Sequence, residues 1–272
     1  ISVVLFTPVI LFSVFSATGR GFLQANLRFD AVAILTFAET ISKFLLAVVL
    51  VLVGLSSWAY LSVPFSFFVT FVLASWLSSI NVPEIDPEVP AEPYSFPFSF
   101  YFASMLSGLT TTAFLSIDVL LAKHYLSPVA AGEYAVLALV GKMVYFFGSL
   151  FNTFMITFIS RDLGAKRSTA ATFYKLFAGC AVFSFFAFTF LGPLGHLFVP
   201  ILLGPKSQAI VPFLTLYSLG ILFFTLSYII VSYRLVRHEY IFPIVSICAA
   251  LCLSIAVTFH HDDPEDIAEM VL

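Results

Sequence analysis

Long runs of apolar residues, separated by short polar stretches, make up most of the chain. A helix that crosses the hydrocarbon core needs about 20 predominantly apolar residues, because lipid leaves every backbone polar group to be satisfied inside the protein. Eight runs approach or exceed that length, and none shows the alternation of membrane barrel strands. The pattern therefore predicts an all-α polytopic membrane protein with about eight transmembrane helices. The runs cover residues 1–18, 31–55, 58–80, 98–122, 132–159, 170–203, 209–233 and 240–259.

Composition supports the membrane assignment. Apolar residues make up 61% of the chain and charged residues 10%, against about 25% charged in soluble domains, and the mean hydropathy is +1.06. With 34 phenylalanines and so few charges, the chain lacks the polar surface that a water-soluble domain needs. Cys180, Cys248 and Cys252 all lie in apolar runs, which favours small buried hydrophobic residues over metal or disulfide roles.

The two ends of the chain favour a fragment of a longer protein. The first residue is Ile1, and its apolar run begins at once, without the basic region or cleavage site of a signal peptide. The last residues, "AEMVL", follow an acidic patch and are typical of the start of another apolar segment. We therefore expect helices to be missing at both ends.

The sixth run is too long for one straight span. Pro193 and Pro200 lie near its end, and proline removes a backbone donor and clashes with the preceding turn. We expect a kink or a re-entrant tail at this position.

One stretch rich in prolines and acids interrupts the apolar pattern. Residues 81–97, "NVPEIDPEVPAEPYSFP", hold five prolines and four acids, a composition typical of an extended, semi-rigid linker. All other connections are short, as is usual inside a compact unit, so the stretch is interpreted as a domain boundary. Its composition alone fits an ordinary long loop equally well.

Basic residues are distributed unevenly between alternate loops, which predicts the orientation in the membrane. One set of loops holds eight Lys and Arg residues, and the other holds only Lys123 and Lys206. By the positive-inside rule the first set is cytoplasmic. The first run then crosses from outside to inside, and residues 81–97 are cytoplasmic. The eight residues are Arg20, Arg28, Arg161, Lys166, Arg167, Lys175, Arg234 and Arg237.

Charged residues inside the apolar runs are candidates for function, since each costs roughly 2.5 to 3.5 kcal/mol to insert at the membrane centre. Glu39 and Lys43 are four residues apart, so they share one helix face and can pair. Two interpretations stay open for them, a structural ion pair and a pair that lines a water-filled cavity.

The fourth run carries polar and small residues at helical spacing. Ser104, Gly108, Thr111 and Asp118 recur at intervals of four, three and seven residues. This spacing predicts one stripe that ends at Asp118.

A second polar face is predicted in the fifth run. Lys142, Ser149 and Asn152 follow at intervals of seven and three, and Gly141 and Gly148 lie beside them, where small residues permit close helix approach. Lys142 lies about 15 Å from the outer end of its run, near the bilayer centre. Both faces are therefore expected to line an interior. The alternative is a buried ion pair of Lys142 with the aspartate of the fourth run, with a packing role only.

No pattern in the chain indicates a catalytic or metal site. Residues 260–266, "HHDDPED", have side chains that can bind metals, but in an outer loop they are more typical of a solvated turn. The sequence has no GxxxxGK[ST] phosphate loop and no HExxH motif, so neither built-in nucleotide hydrolysis nor a zinc protease is supported. We predict no catalytic residue, no metal site and no cofactor.

The segment "SIDVLLAKHYLSPVAAGEYAVLALVGKMVYFFGSLFNTFMITFISR", residues 116–161, resembles the start of the second helical lobe in polysaccharide flippases of the multidrug/oligosaccharidyl-lipid/polysaccharide exporter superfamily. The shared pattern is an aspartate late in one helix, a short hinge and an Ala/Gly–x–Tyr turn, here Asp118, residues 123–128, and the turn around Tyr134. Residues 20–55, which begin "RGFLQ", resemble the cytoplasmic Arg-Gly-x-Leu-Gln loop of the family and its following helix. Residues 202–239 resemble the helices that close the lobe.

This resemblance implies a two-lobed transporter of 12 to 14 helices. On that pattern the first run is the fourth helix, and residues 1–80 are the end of the N-terminal lobe, with three helices. Residues 81–97 are the cytoplasmic linker, and residues 98–272 are an incomplete C-terminal lobe with five helices. An outside-to-inside fourth helix agrees with the orientation that the basic residues predict.

The resemblance further implies a flippase that moves an isoprenoid-pyrophosphate-linked saccharide across the plasma (inner) membrane by alternating access, in O-antigen, capsule or exopolysaccharide biosynthesis. Such a substrate needs a water-filled, partly cationic cavity, with Lys142 and Lys43 as the candidates for attracting the anion. The predicted pathway residues are Lys142, Asp118, Lys43, Glu39, Asn152, Ser149 and Thr111, with Arg20 and Arg28 at the cytoplasmic entrance.

The implied partners are the polyprenyl-pyrophosphate-linked saccharide and the lipid bilayer. Polysaccharide polymerase and chain-length proteins are further candidates, and no nucleic acid is expected. We expect a transporter and not an enzyme. Two alternatives stay open: a cation-coupled multidrug or metabolite exporter of the same superfamily, and a membrane-embedded transferase that acts on the same lipid carrier. The transferase would need a cluster of acids or histidines at a membrane face.

Ser168 and Lys123 test the predicted orientation, because they lie in loops of opposite sets. In the full-length protein without its native cysteines, Ser168→Cys is expected to react with a membrane-impermeant maleimide only after the cells are permeabilised. Lys123→Cys is the matched control and is expected to react in intact cells. The measurement is the labelled fraction of each variant, and labelling of Ser168→Cys in intact cells would contradict the orientation.

Overall fold

The computed structural model of the chain describes residues 2–80, 96–204 and 210–259. These residues form helices joined by short turns, and no strand occurs among them. The chain divides into two compact units, Ile1–Tyr94 and Ser95–Leu272. The prediction of an all-α polytopic membrane protein is confirmed.

The described residues contain ten α-helices, and a short 3₁₀ helix, Ser56–Leu61, precedes the third of them. The α-helices are α1 (Ser2–Ala25), α2 (Phe29–Leu52), α3 (Ser62–Ile80), α4 (Phe98–Phe114), α5 (Ile117–Tyr125), α6 (Pro128–Gly164), α7 (Ala170–Leu191), α8 (Gly195–Leu203), α9 (Val211–Val236) and α10 (Ile241–Phe259).

Within the described residues, six helical stretches are long and apolar enough to span a membrane. They correspond to the second to seventh predicted runs. α1 and α10 occupy the first and eighth runs and are helical as predicted, but they are not among the six. The six stretches are Phe29–Leu52, Ser56–Ile80, Phe98–Tyr125, Pro128–Gly164, Ala170–Leu191 and Val211–Val236.

The sixth predicted run forms two helices. α7 ends at Leu191 and α8 begins at Gly195, so the run is not one straight rod, in agreement with the expected effect of Pro193. The Gly192 amide still donates to the Phe188 carbonyl at 2.7 Å, but Pro193 has no N–H group with which to extend the helical ladder.

The fourth predicted run is also broken, at a position where the sequence pattern predicts a continuous helix. α4 ends at Phe114 and α5 begins at Ile117, and neither residue between them, Leu115 or Ser116, is glycine or proline. Because neither glycine nor proline causes the break, contacts with other helices are needed to stabilise it. Asp118, in the first turn of α5, makes such contacts.

In the first unit, α3 packs against both α1 and α2. Gly19 lets α1 approach α3 closely, because a Cβ atom built there would lie 3.0 Å from the Ala74 Cβ. α1 continues to Ala25, beyond the end of the predicted run, and its last turns bury Leu23 in the core of this unit. Arg20 therefore lies inside a helix, and its placement in a loop was wrong.

In the second unit, α6 is the central helix and packs against both α7 and α9. Gly148 lies where the three helices meet, since a Cβ atom built there would overlap the Ser184 hydroxyl of α7 and the Thr225 methyl group of α9. The predicted role of small residues in close helix approach is confirmed at this position.

Three predicted features lie outside the described residues. They are most of the linker 81–97, the loop with Lys206, and the "HHDDPED" segment at 260–266. The assignment of residues 1–80 and 98–272 to the two lobes of a transporter stays a prediction.

Two glycines of α6 provide a matched test of this packing. Gly148→Ala is expected to lower the free energy of unfolding by about 1–3 kcal/mol, because the added methyl group overpacks the contact with α7 and α9. Gly132→Ala is expected to raise it by up to about 1 kcal/mol, because the site is open and alanine favours the helix. Unfolding of the purified protein in detergent measures both, and equal effects would contradict the packing described.

Candidate functional site

Asp118 of α5 is buried and accepts hydrogen bonds from two other helices of the second unit. Its side chain is 1% exposed. The Lys142 ammonium of α6 donates to Oδ1 at 2.8 Å. The hydroxyl groups of Tyr217 on α9 and Tyr134 on α6 donate to Oδ2 at 2.6 and 3.3 Å. We call these four residues the Asp118 cluster, and it ties α5, α6 and α9 together.

The Asp118 cluster is electrically neutral and closed to solvent. Lys142 is 7% exposed, and its ammonium lies 2.8 Å from the carboxylate and 5.9 Å from the centre of the Tyr217 ring. Two buried charges repay their desolvation only when they pair well and their remaining groups are hydrogen-bonded, which the two tyrosines help to achieve here. Lys142 therefore adopts the paired arrangement that the sequence left open as an alternative. Its part in a substrate pathway stays a prediction.

Gly141 makes room for the Tyr217 ring. A Cβ atom built at Gly141 would overlap that ring, so a larger residue would push α9 away from α6. The rings of Tyr134 and Tyr217 cross at 89° with centroids 6.0 Å apart, an edge-to-face contact that aligns both hydroxyl groups on the same carboxylate oxygen.

The predicted stripe from Thr111 to Asp118 is not one continuous helix face. The break between α4 and α5 ends the helical register, so a spacing of seven residues no longer implies a shared side. The buried face of α4 consists of Ala103, Ser107 and Thr110.

A second charge cluster lies in the first unit, where Glu39 of α2 binds two cations. Arg20 of α1 donates to Glu39 Oε2, and Lys43 lies 3.7 Å from Glu39 Oε1, as the four-residue spacing predicts. Two cations and one carboxylate leave a net charge of +1. The side chains of Lys43, Arg20 and Glu39 are 42%, 29% and 17% exposed, so this Glu39 cluster is partly open where the Asp118 cluster is closed.

Arg28 directly precedes α2, at the helix end where the sequence places the cytoplasmic entrance. Its guanidinium lies 3.0 Å from the Asp30 carboxylate, and both side chains are exposed. The hydrogen bond to Asp30 raises the pKa of the Arg28 guanidinium.

A cleft of about 440 Å³ lies between α4, α9 and α10 in the second unit. Thr111 is on its wall. Asn152 of α6 supports the wall from behind, since its amide donates to the Tyr228 hydroxyl at 3.1 Å. The lining residues are Ser107, Thr110, Thr111, Phe114, Gly220, Phe223, Phe224, Ser227, Tyr228, Val231, Ser246, Ala249, Cys252, Leu253 and Ala256.

The structure thus distributes the predicted pathway residues over separate places. Asp118 and Lys142 come together, Thr111 and Asn152 lie at the cleft, and the Glu39 cluster belongs to the first unit. Ser149 joins none of these groups, and its hydroxyl donates to the Phe146 carbonyl of its own helix at 3.0 Å.

Sequence reasoning missed the two tyrosines of the Asp118 cluster. Tyr134 was interpreted only as a landmark of the turn after the hinge, although it lies inside α6, two steps of four residues before Lys142 and so on a similar helix face. Tyr217 carries no local signal, because it contacts Asp118 across 99 residues of sequence.

No group of three or more His, Cys, Asp or Glu residues suited to a metal ion occurs in the part of the chain that the structure describes. The charges of Asp118 and Lys142 cancel in their ion pair, whereas the Glu39 cluster keeps one positive charge in excess. The Asp118 cluster is therefore suited to holding helices together, and the Glu39 cluster is suited to binding a charged ligand.

Comparison with known proteins gives one match. The family model described as "polysaccharide biosynthesis protein" matches residues 2–212, which is most of the chain and includes both charge clusters apart from Tyr217. No curated protein and no solved structure matches the chain.

The Asp118 cluster predicts strong coupling between its two charged members. Lys142→Met alone is expected to cost roughly 3–5 kcal/mol of unfolding free energy, because Asp118 would then be a buried charge without a counter-ion. The double variant Asp118→Asn/Lys142→Met should regain most of that loss, since the asparagine carbonyl still accepts from the tyrosines.

The measurement is a double-mutant cycle on unfolding of the purified protein. Lys43→Met serves as the control, because Lys43 is partly exposed and its loss leaves Glu39 paired with Arg20. Additive effects of the Asp118 and Lys142 substitutions would contradict the ion pair.

Proposed function

The chain belongs to the polysaccharide biosynthesis protein family, and from that membership we propose that it moves a lipid-linked saccharide across a membrane and does not alter it chemically. Its apolar helices make it a multi-pass membrane protein. Its family gives it a role in polysaccharide biosynthesis. The proposed substrate is a saccharide on a polyprenyl pyrophosphate. The proposed site is the plasma (inner) membrane, with polysaccharide polymerase and chain-length proteins as partners.

The observation that carries this proposal is the Glu39 cluster. It places a net positive charge between α1 and α2, of which α2 is long and apolar enough to span a membrane, and it leaves Lys43 of α2 partly exposed. An uncompensated cation in such a segment is costly, which favours a role in binding over a role in packing. A pyrophosphate supplies the missing negative charge, and the planar Arg20 guanidinium and the Lys43 ammonium are both groups that bind phosphate oxygens.

The Asp118 cluster supports a different part of the same proposal. Its charges cancel and its groups are buried, so it offers an incoming anion no free cation. It is suited to holding α5, α6 and α9 as one rigid body. Transport by alternating access requires rigid bodies that move against each other, and the division of the chain into two compact units supports such a mechanism.

Lys43 provides the test of this function. In full-length protein reconstituted in vesicles, Lys43→Gln is expected to lower the rate of saccharide translocation roughly ten- to hundredfold, because one charge-assisted contact with the pyrophosphate is lost. Lys43→Arg should keep most of the rate. Translocation is measured as the fraction of saccharide that becomes accessible to a membrane-impermeant glycosidase.

Lys175→Gln is the matched control, because it removes an exposed cation from the other unit and is expected to leave the rate unchanged. Wild-type translocation by Lys43→Gln would contradict the role of the Glu39 cluster. Purified protein that converts the lipid-linked saccharide into a different compound, without moving it, would contradict transport altogether.

A further inference from the structure

The cleft between α4, α9 and α10 extends along the helices that line it. Its lining runs from Gly220 to Val231 on α9 and from Ser246 to Ala256 on α10. At 1.5 Å per residue each wall is about 15 Å long, roughly half of the hydrocarbon thickness of a bilayer. A cleft of this length has room for part of an extended hydrocarbon chain.

The lining of the cleft contains no charged residue and no histidine. Three of its hydroxyl groups, those of Thr110, Thr111 and Ser246, donate to carbonyl groups one turn back in their own helices at 2.9 Å. Their protons are thus already engaged. An ion would lack a counter-charge here.

One wall of the cleft is a row of aromatic rings. Phe114 and Phe224 stack with centroids 4.8 Å apart, and Phe224 stacks in turn on Tyr228 at 6.3 Å. The side-chain amide of Asn152 on α6 donates a hydrogen bond to the Tyr228 hydroxyl group. The α10 wall carries small side chains, among them Ala249 and Ala256. Rings on one side and small residues on the other leave room for a branched hydrocarbon.

We propose that this cleft holds the polyprenyl chain of the lipid-linked saccharide. The inference rests on the proposed function, which supplies a substrate with a long hydrocarbon chain. The uncharged lining matches a chain that has to remain in an apolar environment while the saccharide and pyrophosphate cross the membrane. The cleft keeps the carrier attached to the second unit during that movement.

Photo-crosslinking tests where the chain lies. Full-length wild-type protein in vesicles is illuminated with a polyprenyl-pyrophosphate saccharide that carries a diazirine in its isoprenoid chain, and the adducts are mapped by mass spectrometry. Adducts are expected on residues 107–114, 220–231 and 246–256, and unlabelled polyprenyl pyrophosphate should compete for them. Adducts confined to other helices would overturn the proposal.

Two variants of α10 give a matched comparison. Ala249→Trp fills the cleft and is expected to lower crosslinking there roughly tenfold. Leu251→Trp adds a ring at an exposed position of the same helix outside the lining, and should leave crosslinking unchanged. Equal crosslinking in both variants would overturn the proposal, and the wild-type adduct map decides the matter if Ala249→Trp does not fold.

A second probe separates the carrier from ordinary bilayer lipid. A phosphatidylglycerol with a diazirine in its acyl chain should label the cleft weakly, and unlabelled polyprenyl pyrophosphate should displace it. Strong labelling by this phospholipid without such displacement would show that bilayer lipid fills the cleft and would overturn the proposal.

The translocation assay distinguishes this proposal from the proposed function. Protein that moves the saccharide while the isoprenoid chain crosslinks outside the cleft would refute the chain site alone. Protein that neither moves the saccharide nor crosslinks to the carrier anywhere would refute both.

Discussion

The Asp118 carboxylate is a full charge buried among apolar helices, and the second unit is arranged around the need to satisfy it. Three donors from α6 and α9 surround it, so these helices have to pack closely around α5. Gly141 has to lack a side chain so that Tyr217 can approach, and Asp118 lies in the first turn after the break between α4 and α5. Without this set of bonds the carboxylate would cost several kcal/mol, a large share of the stability of any domain.

The Glu39 carboxylate also has to be paired with cations, but the resulting cluster has different properties. The carboxylate lies in a membrane-type helix, has two cations and is only partly buried. An excess charge that stays near an open surface is available to a ligand, whereas a matched pair that is sealed is not. The contrast between the two clusters explains why Lys43 is a better candidate for meeting an anion than Lys142, although Lys142 is the more deeply buried.

A lipid-linked saccharide combines a pyrophosphate with a long hydrocarbon chain, and the described residues offer one feature suited to each. The Glu39 cluster has the charge for the pyrophosphate, and the α4–α9–α10 cleft has the shape and the uncharged lining for the chain. The two features lie in different units. Family membership shows the role in polysaccharide biosynthesis, and transport is the form that we propose for this role.

Membrane class, helical content and most helix positions could be predicted from the order of the residues, because lipid permits few solutions to backbone hydrogen bonding. The Glu39–Lys43 pair and the glycine contacts of α6 were also predictable, since both depend on spacing within one helix. The α4–α5 break carries no local signal, and neither do the contacts of Asp118 with Tyr217 and of Glu39 with Arg20. They arise where helices distant in sequence meet, because a buried charge is satisfied by whichever donor the packing brings within 3 Å, and spacing along one helix does not specify that donor.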